Sequence, residues 1–137
     1  MLAANIFTLS GALIFLIFGI AYLYKSMSVK HHCDTIQKNF NELNLHNKTF
    51  LFALMRGVAG GALALAVTIT YLQIQFFKHA HNWIPVIILI SSSIFFLTSI
   101  NGMILVKRNT TVKPPVFALI LAMLLIIAGY LINMKII

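Results

Sequence analysis

The chain has 137 residues, of which 61% are hydrophobic and only 9% charged. Soluble domains carry roughly 25% charged residues, so a water-soluble globule is excluded. The longest stretch outside the apolar runs, Lys25–Thr49, is too short to bury a core of its own, so one domain over residues 1–137 is expected. The net charge of +8 would suggest nucleic acid in a soluble protein; here its carriers sit where membrane topology places them, and no nucleic-acid partner is expected.

Four apolar runs fill the chain: Leu2–Tyr24, Phe50–Phe77, Trp83–Val106 and Pro115–Met134. Each exceeds or matches the about 20 residues that a spanning helix needs. They predict an all-α fold, a four-helix transmembrane bundle with helices at about 2–24, 50–77, 83–106 and 115–134. A secretory signal has a basic flank, a short apolar stretch and a small-residue cleavage site; here no Lys or Arg precedes Lys25, and the apolar run is too long. It reads as a retained anchor. Tyr22 and Tyr24 followed by Lys25 make an interfacial belt at its end.

Between the first two spans, Val29, Cys33, Ile36, Phe40 and Leu43 recur at helical spacing. Lys30, Asp34, Gln37, Lys38, Asn41 and Glu42 point elsewhere. An amphipathic helix over about Ser28–Leu43, lying in the membrane interface, is expected; a mobile loop and a coiled-coil contact with a partner are the alternatives. Cys33 is the only cysteine, so no internal disulfide can form. His31-His32-Cys33-Asp34 offers three kinds of metal ligand, but adjacent helical residues diverge too widely for one ion, and a closed zinc site needs four ligands. No metal is expected there, nor at His79 and His81, and no cofactor is expected anywhere.

The second span holds the densest group of small residues: Ala53, Gly57, Gly60, Gly61, Ala62 and Ala64. Ala53, Gly57 and Gly61 lie four apart, a small-xxx-small row ending in GxxxG, which in lipid lets backbones approach closely. Ala53, Gly57, Gly60 and Gly61 are therefore predicted to pack this helix, making it central, against a neighbour in the same chain or in a second copy. Arg56 is the only charge inside any span. Intramembrane ionisable residues are functional candidates, although an arginine near a helix end also snorkels to the interface. Its expected depth is about 9 Å, six residues at 1.5 Å each. Asn101 in the third span should lie at similar depth and accept from Arg56. The pair is a candidate site for an anion or an anionic lipid headgroup.

The third span follows a short turn, Lys78-His79-Ala80-His81-Asn82, and opens with Trp83 and Pro85, proline being tolerated in a first helical turn. Its Ser91, Ser92, Ser93, Thr98 and Ser99 can bond their own backbone or reach a neighbour. The fourth span is nearly featureless until Tyr130 and Asn133. Lys25, Lys30, Lys38 and Lys48 lie in the first connection and Lys107, Arg108 and Lys113 in the third, against Lys78 and Lys135 on the other side. Positive residues in short loops mark the cytoplasmic face, which places both termini outside and loops 25–49 and 107–114 inside. The sequons at Asn47 and Asn109 would then remain unmodified. The basic face should favour anionic lipids.

Arg56-Gly57-Val58-Ala59-Gly60-Gly61 resembles the Arg-x-x-x-Gly-Gly start of the second helix in some small bacterial four-helix membrane families of unknown function. The resemblance covers about a third of the chain. Gly102 matches a glycine near the cytoplasmic end of a later helix in those families, and the acidic residue of their last helix is absent here. It implies a bacterial inner-membrane bundle and no mechanism. The Arg/Asn/Glu pattern of small four-helix glutathione-using enzymes is also missing. With no intramembrane acid or histidine, no nucleophile–base pair and no phosphate loop, the expected function is non-catalytic: an accessory subunit, assembly factor or immunity-type partner in a larger membrane system. The alternatives are a self-associated channel or transporter for an anion or small solute, with Arg56 and the hydroxyls of the third span lining the path, or a lipid-binding protein.

Overall fold

A computed structural model describes residues 2–24, 44–109 and 116–134. Four helices span this set: α1 (Leu2–Tyr24), α2 (Leu45–His79), α3 (Trp83–Asn109) and α4 (Val116–Asn133). All four are long and apolar enough to cross a membrane, and the chain is a four-helix integral membrane protein. The predicted interfacial helix and the His31–Asp34 cluster lie outside the described residues.

Only 22–28% of each span is buried inside the molecule. Leu13, Ile17, Val67, Ile94, Leu97, Phe117 and Leu124 are all exposed. A soluble protein could not leave so much contiguous apolar surface in water; hydrocarbon covers it here at no cost.

Helix α2 starts five residues before the apolar run. Asn44 caps it, its Oδ1 accepting from the Asn47 N–H at 2.8 Å, and Thr49 bonds back to the Leu45 carbonyl. At the other end the helix stops at Ala80, which adopts the left-handed conformation (φ 51°) and donates its N–H to the Phe76 carbonyl. Only Ala80–Asn82 separate α2 from α3, so the two form a tight hairpin. The end of the bundle bearing this turn is the hairpin end; the opposite end, where Lys48, Lys107 and Arg108 lie, is the basic end.

Helix α1, not α2, is central: it packs along both α2 and α4, while α2 and α3 share the least extensive of the major interfaces. The buried positions explain why. Ala4, Thr8, Gly11, Phe15 and Phe18 of α1 recur at alternating steps of four and three. Met55, Ala59, Ala62, Ala66, Ile69, Gln73 and Phe76 of α2 do the same, as do Leu119, Ala122, Ile126 and Gly129 of α4. Such steps average about 3.5 residues, the repeat of left-handed helix packing. The core they enclose is filled by Phe15, Ile69, Ile84, Ile88, Leu119 and Ile126, with the Phe15 ring meeting Phe95 of α3 edge-on at 5.4 Å.

Close approach is provided by Gly11, Gly19 and Gly129. A Cβ on Gly11 would meet Ile126 and the Ala122 carbonyl; on Gly19, Leu63 and the Ala59 carbonyl; on Gly129, Thr8 and the Ala4 carbonyl. This corrects the expectation that α2 packs centrally within the chain through Ala53, Gly57 and Gly61. Ala53, Gly57 and Gly60 are exposed, and nothing lies within 4 Å of a Cβ added at Gly57 or Gly60. Gly61 meets only Phe95, at an ordinary 3.6 Å. The physical reason lies in α2 itself, which carries two rows of small residues. Ala59, Ala62 and Ala66 face inward, while Ala53, Gly57, Gly60 and Ala64 lie on the opposite side.

Candidate functional site

Arg56 sits on the surface of α2, exposed, on the flank of the outward row. Gly57–Phe77, which separates Arg56 from Lys78, is 21 residues, about 31 Å of helix at 1.5 Å per residue. That matches the about 30 Å of a hydrocarbon core. Lys78 and Arg56 thus bracket the membrane-crossing part of α2, and the guanidinium needs no buried counter-ion. Asn101 is exposed on α3. No hydrogen bond joins Asn101 to Arg56 among the described residues, so the expected pair does not form. The reason is the weak α2–α3 interface: near the basic end Val58 and Leu105 are exposed, and a Cβ on Gly102 would meet nothing within 4 Å.

Three of the five hydroxyls of α3 bond back to their own helix. Ser91 bonds the Ile87 carbonyl at 2.7 Å, Ser92 that of Ile88 at 2.7 Å and Thr98 that of Ile94 at 2.9 Å. Satisfied in this way, Ser91, Ser92 and Thr98 offer a permeating solute little.

Polar chemistry instead gathers at the hairpin end, between α1, α2 and α4. Gln73 is 1% exposed and donates from Nε2 to Asn5 Oδ1 at 2.5 Å. One turn further along α1, Thr8 is 2% exposed, its Oγ1 set against Gly129 of α4. Asn133 lies one turn beyond Gly129 on the same side of α4. Gln73 Oε1, Thr8 Oγ1 and Asn133 Oδ1 are buried without a hydrogen-bond partner among the described residues. In the sequence Asn133 stands out at the end of a featureless span, whereas Gln73 hides in an aromatic segment, Tyr71–Phe77. Its place in the four-three repeat with Ala66, Ile69 and Phe76 was the available signal.

On the surface of the same end, His79 and His81 stack at 5.9 Å and His81 and Trp83 at 6.2 Å, a ladder of amphipathic rings at headgroup depth. No group of three or more His, Cys, Asp or Glu suited to a metal occurs among the described residues. A shallow apolar groove of about 580 Å³ runs between α1 and α2, lined by Leu9, Leu13, Leu16, Val67, Tyr71 and Ile74 among others. It faces the surroundings of the bundle.

No family model, no curated protein and no solved structure matches the chain.

Proposed function

We propose that this chain is a non-catalytic inner-membrane protein that works by association, docking the outward small-residue row of α2 onto another membrane polypeptide as an accessory subunit, assembly factor or immunity-type partner. The observation that carries this reading is the exposure of Ala53, Gly57, Gly60 and Ala64 opposite the buried seam of α2. In lipid, apolar burial does not hold helices together; van der Waals contact between closely approaching backbones does, and small residues permit it. The chain uses this device at Gly11, Gly19 and Gly129 and carries a further row whose Gly57 and Gly60 meet nothing within 4 Å among the described residues. Arg56 beside the row would then meet anionic headgroups or a partner's carboxylate at the membrane surface. The distribution of Lys and Arg supports a basic cytoplasmic end, with the hairpin outside, and the resemblance of Arg56–Gly61 to small bacterial families supports the inner membrane.

Native mass spectrometry of the protein, extracted gently from its own membranes, tests the proposal. A second polypeptide in fixed stoichiometry, lost in Gly57→Leu and Gly60→Leu, supports it. A homo-oligomer lost in the same variants moves the function to self-association and a pore or lipid site. A monomer in both wild type and variants contradicts association.

A further inference from the structure

We infer that the junction of α1, α2 and α4 at the hairpin end is an internal binding site for a small hydrogen-bond donor of the size of water or ammonium. Two side chains more than nine-tenths buried carry the argument. Gln73 spends its amide N–H on Asn5 and keeps Oε1 as an unpartnered acceptor. Thr8 keeps Oγ1 unpartnered as well. In this Thr8 differs from Ser92, the other buried hydroxyl among the described residues, which bonds the carbonyl of Ile88 four residues back. The Thr8 hydroxyl faces α4 instead, where Gly129 leaves room for it.

The placement of these atoms fixes the chemistry. Asn5 and Thr8 are three residues apart on one face of α1, so their side chains are neighbours about 5–6 Å apart at Cβ, and Gln73 is bonded to the first of them. Asn133 Oδ1, a third unpartnered acceptor, lies one turn past Gly129. A buried polar atom without a partner costs about 1–3 kcal/mol, and a site with several is stabilised by a molecule that can donate to two or three at once. Water does this with two donors and characteristically makes about three bonds in such places. Ammonium does it with four. Calcium or magnesium fits poorly, because such an ion takes six or more oxygen ligands while the site offers three side-chain acceptors and its continuous helices leave the backbone carbonyls engaged. The ligand's protons would go to Gln73 Oε1 and Asn133 Oδ1, and Thr8 Oγ1 can accept or donate.

The test is solution NMR of the full chain in bicelles, reading magnetisation transfer from water to the side-chain amides of Gln73 and Asn5. The expected result is a direct, non-exchange contact with long-lived water at both amides, absent from lipid-facing Leu13 and Leu97. Thr8→Val keeps the shape and removes the hydroxyl, and should abolish that contact; Thr8→Ser should retain it. Adding ammonium chloride against equal sodium chloride separates the sources. A saturable shift of the Gln73 amide assigns the site to ammonium, and no difference assigns it to water. Dry amides in the wild-type protein that also ignore ammonium overturn the inference, as does a water contact unchanged in a folded Thr8→Val.

Discussion

Gln73 of α2 donates a side-chain proton to Asn5 of α1 across 2.5 Å, and both lie in the third of the bundle nearest the hairpin. It ties the two helices together side chain to side chain. Interhelical hydrogen bonds in membranes contribute about 0.6 kcal/mol on average and up to about 1.7. Gln73→Ala, which also removes packing at a fully buried position, should destabilise the protein by about 2 kcal/mol in steric-trap unfolding in bicelles. Gln73→Leu should cost under about 1 kcal/mol, because it fills the space and removes the unpartnered carbonyl together with the donor.

The glycines divide into two groups that a substitution series should separate. Gly129→Ala drives a methyl into Thr8 and Gly11→Ala one into Ile126, so each should destabilise by about 1–3 kcal/mol through overpacking. Gly57→Ala, Gly60→Ala and Gly102→Ala meet nothing and should leave unfolding of the isolated protein within about 0.5 kcal/mol of wild type. Thr8→Ala should partly rescue Gly129→Ala in the double variant, since it removes the hydroxyl that makes the nearest collision and leaves the tighter-than-usual backbone contacts of Thr8 and Ala4; a purely additive cycle would contradict the contact.

Ala80 ends α2 with φ at 51°, a conformation that costs an L-residue about 1 kcal/mol and glycine very little. Ala80→Gly should therefore raise stability by up to about 1 kcal/mol, measured by the same unfolding assay, without moving the helix boundaries.

Arg56 is exposed and hydrogen-bonds to none of the described residues. Arg56→Leu should fold with stability within about 0.5 kcal/mol of wild type, while weakening binding to vesicles or partners that present negative charge. A large loss of stability in isolation would mean that the guanidinium is held inside the bundle after all.

The four spans were legible from hydropathy because a helix that crosses hydrocarbon must be apolar for about 20 residues, and nothing else in this composition allows so long a run. The start of α2 at Leu45 was not, since it rests on the Asn44 cap and on polar residues that hydropathy assigns to a loop. The inward face was the harder problem. In water, apolar residues mark the buried side of a helix; in lipid both sides are apolar, and the size of side chains is the remaining cue. In α2 that cue points both ways, and the glycines of the outward row outweighed the alanines at 59, 62 and 66. In α1 and α4 the packing glycines share their rows with Ala4, Thr8 and Ala122 but alternate with Phe15, Phe18 and Ile126, so no dense glycine cluster marks them as the glycines of the outward row are marked. The four-three spacing of Met55 through Phe76 was present in the sequence throughout, and it would have selected the buried face and brought Gln73 into view.

Cysteine cross-linking in native membranes tests most directly whether α2 docks through its outward row. In a Cys33→Ser background, Ala64→Cys places a thiol on that row and Leu124→Cys one on the exposed surface of α4. A thiol-reactive benzophenone, which on illumination inserts into C–H bonds and so works within hydrocarbon, should give one protein adduct of defined mass from Ala64→Cys, none from Leu124→Cys, and none when Gly60→Leu is added. Equal adducts from both positions, or none from Ala64→Cys in membranes where the protein is folded, would contradict the account.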